Sequence, residues 1–502
     1  MVKALKDLTK DSLTYGSASM FSKIIGFLLI PLYTTYLTPV DYGITAMLSF
    51  VYLFFIPIAS MGTTKAIFRR YNLNKDAEQQ QIALSTGSIF VVFTSLVCLI
   101  IGLVFAGFIT VQLTDDIKYL ELVYITLGGC FFASIGMVFT VILRAKRKVL
   151  TLSIARIIEL TFTIGLTIYL VMFLKIGVYG VVWGSAAGSC LLAVIQLAFC
   201  WKDLKPIFDV AELKSLLQYG LPFLPHGIFG NGINFLGQFF LKEYAGLASA
   251  GLYNISLKFA LPLTFIIGAI QNAWVPIKFQ IHREEEDEED RRLVFRRLIS
   301  TYFLFITIIY VGLVILGPEL LRIMTQAEYH DAVMFFPLVV LISFSQGTYF
   351  MSGTGFEFTN NTKPAPLISG IGLMSLAIIS FATRNWLEMY GILISMASCW
   401  FIMAYLVRNF AVRRFYVPLN LRILLIVFSL VFISTITSIG LQSSSDLIYR
   451  LEFGIILSII CIGILLRVFV IDEDFKSLNL DKYPMMGKLT RIILRIKQKI
   501  KT

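Results

Sequence analysis

Four ionisable side chains, Lys23, Arg156, Glu159 and Lys258, stand inside long apolar runs of this chain. A charge near the centre of a bilayer is costly, so such residues usually face water or a partner. Lys23 shares a helical face with Ser19 and Gly26, a polar, uncrowded stripe roughly 15 Å along its run from Leu13. Lys258 has Asn254 and Pro262 one turn to either side and lies nearer the end of its run, where a lysine can equally snorkel to the interface. Ser153, Arg156, Glu159, Thr163 and Thr167 follow one face at spacings of 3, 3, 4 and 4. Arg156 offers a guanidinium fork for phosphate and Glu159 a carboxylate that could titrate in ion coupling, although the two could equally neutralise each other as an i,i+3 pair. His226, Gly230, Asn234 and Gln238 recur every four residues, with Asn231 beside them. Such a stripe suits sugar hydroxyls, or hydrogen bonds between helices. Asp41 and Glu357 sit at run ends and read as structural.

The elements that must position these residues are membrane helices. Of 502 residues 57% are hydrophobic and 15% charged, and the mean hydropathy of +0.80 excludes a soluble domain. Runs long enough to span recur about fourteen times, from 13–37 to 447–470, which predicts an all-α integral membrane protein. With the N-terminus in the cytoplasm, alternate connections hold 34 of the 43 Lys and Arg residues on the cytoplasmic side. Only Lys118, Lys175, Lys242, Arg322, Arg384 and Arg450 remain outside, which predicts both termini in the cytoplasm of a cell membrane protein.

The net charge of +12 is therefore a matter of topology, and no nucleic-acid partner is expected. The six cysteines lie in apolar runs without CxxC or paired histidine, so neither disulfides, a metal nor a cofactor is expected. Seven consecutive acids, Glu284 to Asp290, precede Arg291, Arg292, Arg296 and Arg297 and read as a solvated helical extension. The tail 488–502 alternates Ile and Leu with Lys and Arg, as an amphipathic helix on an anionic leaflet does.

A weak internal repeat orders the spans. Tyr15-Gly16 and Tyr219-Gly220 each precede a long run, a tight outer connection (Thr38 to Gly43 against Leu247 to Gly251) and a helix interrupted by proline, Pro57 or Pro262. Six intervening helices make the repeat parallel, as in lobes that alternate access to a shared centre. The expected divisions are 1–210 (helices 1 to 6), 211–415 (helices 7 to 12), 416–471 (helices 13 and 14) and a basic tail, 472–502. Pro222 and Pro225 predict a kink at the start of the seventh span.

The stretch Ser22-Lys23-Ile24-Ile25-Gly26-Phe27-Leu28-Leu29-Ile30-Pro31-Leu32-Tyr33, running into Tyr36 to Gly43, resembles the opening of the polysaccharide biosynthesis flippases. These are the O-antigen and capsule repeat-unit translocases of the multidrug/oligosaccharidyl-lipid/polysaccharide exporter superfamily. Gln218 to Phe223 with Ala250-Gly251-Leu252-Tyr253 looks like the second-lobe counterpart. The resemblance implies a V-shaped, MATE-like bundle and alternating access, with undecaprenyl diphosphate-linked oligosaccharide moved to the outer leaflet. Lys23, Arg156, Lys258, His226, Asn231, Asn234 and Gln238 would then be candidates for substrate and Glu159 for ion coupling. Implied partners are lipid-linked oligosaccharide, membrane lipids, and polysaccharide polymerase and glycosyltransferases.

A cation-coupled multidrug exporter and a peptidoglycan-precursor flippase would share this fold, but an exporter's cavity should favour carboxylates over the cations found here. An enzyme is not expected, since no nucleophile–base constellation, phosphate loop or metal signature is present. Single-cysteine labelling should find Gln442 to Asp446 outside and Glu284 to Asp290 inside; both on one face would overturn the topology.

Overall fold

The computed structural model describes residues 24–73, 76–284, 287–359, 364–412, 419–442 and 447–471. Lys23, most of 442–446 and the tail 472–502 lie outside them. Every regular element among the described residues is helical. The chain forms two compact units, the first comprising Met1–Lys258, Arg322–Ala332 and Ala365–Met396, the second Phe259–Leu321, Val333–Pro364 and Ala397–Thr502. By contact, the segment 210–258 goes with the helices that precede it.

The first unit contains α1 (Ile30–Tyr36), α2 (Pro39–Ser60), α3 (Thr63–Leu73), α4 (Ala77–Val104), α5 (Ala106–Thr114), α6 (Leu120–Ala145), α7 (Val149–Ile168), α8 (Val178–Cys200), α9 (Val210–Gly220) and nearly all of α10 (Phe223–Phe259). The second contains α11 (Leu261–Glu284), most of α12 (Glu288–Met324) and α13 (Ala332–Ser352), then α15 (Leu421–Leu441) and α16 (Leu447–Ile471). The intervening α14 (Pro364–Val412) contributes Ala365–Met396 to the first unit and 397–412 to the other.

Nine described helices are long and apolar enough to cross a membrane, and ten if the pair α10 and α11 counts as one bent span. Of the about fourteen runs expected from the sequence, two pairs are joined, in α10–α11 and in α14. The first run, 13–37, lies largely outside the described residues, and the last, 447–470, is not among the nine. Gly246 (φ 81°) interrupts α10 and Glu388 (φ 45°) interrupts α14. Within the first unit the chain of α14 folds back at Glu388, with the hydroxyls of Ser380 and Ser395 2.6 Å apart. Phe93, Val104, Phe432, Ile436 and Ile459 are exposed, a surface that requires lipid rather than water around it.

In the first unit α6 is the central helix. Ile44 and Leu48 of α2, Leu122 and Leu127 of α6 and Val182 of α8 form one cluster. Ile67, Leu84, Ile142 and Leu216 join α3, α4, α6 and α9 in another. Where α2 begins, Thr38 and Asp41 close a capping box, the Thr38 N–H donating to Asp41 Oδ2 at 2.8 Å, so Asp41 is structural as expected. The second unit packs around α12. Ser438 donates to the Val314 carbonyl at 2.7 Å, and the buried Arg450 and Glu319 pair at 2.8 Å.

The repeat-related glycines meet. Gly43 of α2 lies against the Leu247 carbonyl and Gly251 of α10 against the Pro39 carbonyl, each glycine four residues beyond the position that contacts the other. The arrangement is reciprocal, as a two-fold pseudo-symmetric crossing requires, and a Cβ at either glycine would strike backbone. Gly43→Ala and Gly251→Ala should each destabilise by about 1–3 kcal/mol, from overpacking that flexible side chains cannot relieve. Gly128→Ala, where the added carbon meets open space, should cost nothing in thermal unfolding in detergent. Equal midpoints for all three would disprove the close crossing.

Candidate functional site

Every expected site residue that the structure describes lies in the first unit, on α7 or α10. Lys23 is outside the described residues, and so are the side chains of His226, on the first turn of α10, and of Glu357.

Along α7 the polar stripe divides into two halves of different character. Thr167 and Thr163 lie against Gly184 and Gly188 of α8. With Gly180 these glycines repeat every four residues, and small residues at this spacing let two helices approach closely. The Thr163 hydroxyl is buried without a hydrogen-bond partner. This half is a helix contact rather than a lining. Nearer the start of α7, Arg156 is 43% exposed and Glu159 23% exposed, with Nη1 and Oε2 3.8 Å apart. That separation exceeds a charge-assisted hydrogen bond, so each group retains capacity for another partner.

On α10 the three amides have different fates. Asn231 Nδ2 donates to the Leu53 carbonyl at 3.3 Å. Leu53 stands four residues before Pro57, whose missing N–H leaves that carbonyl without its helical donor. Asn231 therefore repairs a break in α2. Asn234 is half-buried, and Gln238 is 6% exposed with its Oε1 unpartnered. Leu373 and Met396 of α14 pack beside this face, at Gly232 and Gly237. The α7 and α10 groups thus occupy different helix contacts, α7 along α8 and α10 along α2 and α14.

Lys258 lies over one aromatic ring. Its Nζ lies 4.6 Å from the centre of the Tyr42 ring, and Tyr42 meets Tyr329 edge-on at 5.6 Å. Tyr329 in turn donates to the Leu37 carbonyl at 2.6 Å. A ring face stabilises an ammonium without supplying a counter-charge.

Sequence reasoning placed Lys242 in a connection, but it is 2% exposed. Its ammonium donates to the Gln112 carbonyl at 3.1 Å, to Glu243 at 2.7 Å and to Asp115. Asp115 ends α5 in the left-handed conformation (φ 61°). The cluster fastens the α5 end to α10, and only its fold reveals it, since 127 residues separate Asp115 from Lys242.

A family model described as polysaccharide biosynthesis protein matches residues 8–282. No individual curated protein matches by sequence. Among solved structures the chain is similar to the lipid II flippase MurJ in an inward closed conformation, with a TM-score of 0.65 and 16% identity over 91% of this chain and 100% of that one. A multidrug resistance MATE family transporter of the MOP superfamily, inward-facing, gives 0.60 and 13% over 80% of this chain and 94% of that one. A MOP superfamily transporter from Pyrococcus furiosus gives 0.58 and 14% over 82% and 95%. At these identities the likeness is one of fold.

The Lys242 cluster gives a testable balance of charges. Asp115→Ala with Glu243→Ala should destabilise the chain by about 1 kcal/mol, because a buried ammonium loses two counter-charges that are themselves half in solvent. Adding Lys242→Met should recover most of the loss in thermal unfolding. A triple variant as unstable as the double would show that the carboxylates act by some means other than charge.

Proposed function

Since the chain belongs to the polysaccharide biosynthesis protein family, we propose that it is a flippase carrying undecaprenyl diphosphate-linked oligosaccharide from the cytoplasmic to the outer leaflet. The observation that carries this reading is the family match over residues 8–282, more than half of the chain. The intramembrane charges support an anionic cargo, with Arg156, Lys258 and Lys23 set against Glu159. A drug exporter of the same fold would need the opposite balance to attract cations.

The proposed topology has fourteen spans, the halves of α10 and α14 counting separately, with both termini cytoplasmic. Lobes of helices 1 to 6 and 7 to 12 would alternate access to a centre between them. On that topology the Gly43–Gly251 crossing, the Lys242 cluster and the Lys258–Tyr42 contact all belong to the outer side. Each joins a residue before 210 to one after it. Opening toward the outside must separate them, and their cost would be offset by cargo contacts made in the open state. No covalent step is involved. Arg156 and Lys258 would attract the diphosphate, while Asn234 and Gln238 would offer amides to sugar hydroxyls.

The assay is outer-leaflet appearance of lipid-linked oligosaccharide in a strain lacking its own flippase. No transport with any repeat unit supplied would overturn the reading. Lys23→Gln should lose most transport at unchanged membrane abundance and Lys23→Arg should keep part of it, because a charge-assisted contact is worth about 1.5–3 kcal/mol, roughly ten- to a hundred-fold in affinity. Transport by Lys23→Gln equal to the parent's would leave recognition to Arg156 and Lys258.

A further inference from the structure

The turn between α6 and α7, Lys146-Arg147-Lys148, is made entirely of cations and departs from a rule of helix ends. The Lys148 N–H donates to the Leu143 carbonyl at 2.8 Å and the Arg147 N–H to the Arg144 carbonyl at 3.0 Å, the two bonds that close a helix in the Schellman arrangement. That arrangement holds one residue in the left-handed region, where glycine is the usual occupant because a Cβ is strained there. Here the residue is Arg147, with φ 56°. An arginine kept where glycine would fold more easily points to a task for its side chain.

A second segment lies against this turn. Lys146 pairs with Asp203 at 2.6 Å, and Lys146 and Lys148 both lie close enough to Cys200, the last residue of α8, to act on it electrostatically. The chain leaving α8, Trp201-Lys202-Asp203, is thus the neighbour of the α6–α7 turn. Its backbone is pinned to α4, where Gln81 donates to the Asp203 carbonyl at 2.5 Å and the Lys205 N–H donates to the Ser85 hydroxyl at 3.3 Å. Asp203 is consumed by Lys146, while Arg147, Lys148 and Lys202 are exposed and have no carboxylate partner among the described residues.

Apolar side chains border these cations. Thr163 against Gly188 and Thr167 against Gly184 set the antiparallel register of α7 and α8, which brings Leu150 level with Trp201. Both are about two-thirds exposed, and Phe199 is half exposed. Of the nine spanning helices α7 is the least buried, so lipid rather than protein borders most of it. An indole among ammonium groups where helices leave the hydrocarbon is suited to the interfacial level of a bilayer.

We infer that this end of the first unit is a seat for an anionic glycerophospholipid of the surrounding bilayer: its phosphate lies among Arg147, Lys148 and Lys202, and its acyl chains run down over Leu150 and Phe199. The general excess of cations on one side of a membrane protein needs no fixed geometry. Here a strained turn, an ion pair and a pinned backbone hold the cations in place, so little freedom is lost on binding. The seat requires the membrane class alone and is independent of the cargo proposed above.

The test uses the full chain in phosphatidylcholine nanodiscs with a minor share of phosphatidylglycerol, and benzoylphenylalanine in place of Trp201 to crosslink neighbouring lipid. Phosphatidylglycerol should be enriched in the crosslinks above its share of the bilayer. A cation near an anionic headgroup is worth roughly a five-fold preference, so Lys148→Gln with Lys202→Gln should cut the enrichment about twenty-five-fold. Lys65→Gln with Arg69→Gln removes the same charge from exposed positions on α3 and should leave it unchanged. Arg147→Gly should move two readouts in opposite directions: the enrichment falls, while thermal unfolding in pure phosphatidylcholine shifts upward as strain is relieved. Should the benzoylphenylalanine variant not fold, retention of phosphatidylglycerol in native mass spectrometry gives the same comparisons with Trp201 in place. Crosslinks in proportion to bilayer composition, equal losses in the two double variants, or undiminished enrichment in Arg147→Gly would each overturn the seat.

Discussion

A backbone carbonyl or N–H that loses its helical partner inside hydrocarbon has no water to replace it. Much of the polar chemistry in this chain answers that constraint. Pro57 deprives the Leu53 carbonyl of a donor, and Asn231 supplies one from α10. Near the end of α2 the Ala59 carbonyl accepts the Thr94 hydroxyl from α4 at 2.5 Å. Where α5 stops, the Gln112 carbonyl accepts Lys242. In each case the repair comes from a different helix, so the breaks that make a helix bend are also the points at which distant segments are tied together.

Residues spent on repair are withdrawn from the list of those that can meet a cargo. Asn231, Thr163 and Thr167 have structural work that explains them. Arg156 and Glu159 do not, since their contact is too long to satisfy either group. Gln238 keeps a buried acceptor without a donor, a state that costs free energy unless something else fills it. Lys258 has a ring for a neighbour but no counter-charge among the described residues. The candidate site is what is left after packing has been accounted for.

The membrane class and the all-helical character could be read from the chain alone, because length and hydropathy are local properties. The Tyr-Gly and proline signals marked Gly43 and Gly251 as equivalent, and the crossing shows why both are glycine. What could not be read was pairing between segments. Lys242 looked like a loop residue because two of its partners, Gln112 and Asp115, lie far away in the chain. The α7 stripe misled in part for a related reason. Threonines at helical spacing look the same whether they face water or a row of glycines.

The buried pair of Glu319 and Arg450 bears on how the protein is made. The residues lie 131 positions apart, on α12 and α16, and each is less than a tenth exposed. Helices emerge from the ribosome in order, so Glu319 is synthesised long before the arginine that neutralises it. Until α16 arrives, α12 lacks the arginine that pairs with Glu319 at 2.8 Å in the finished chain. A nascent chain that stops short of residue 447 therefore differs from a finished one in the surroundings of a residue on α12, a helix already complete by then.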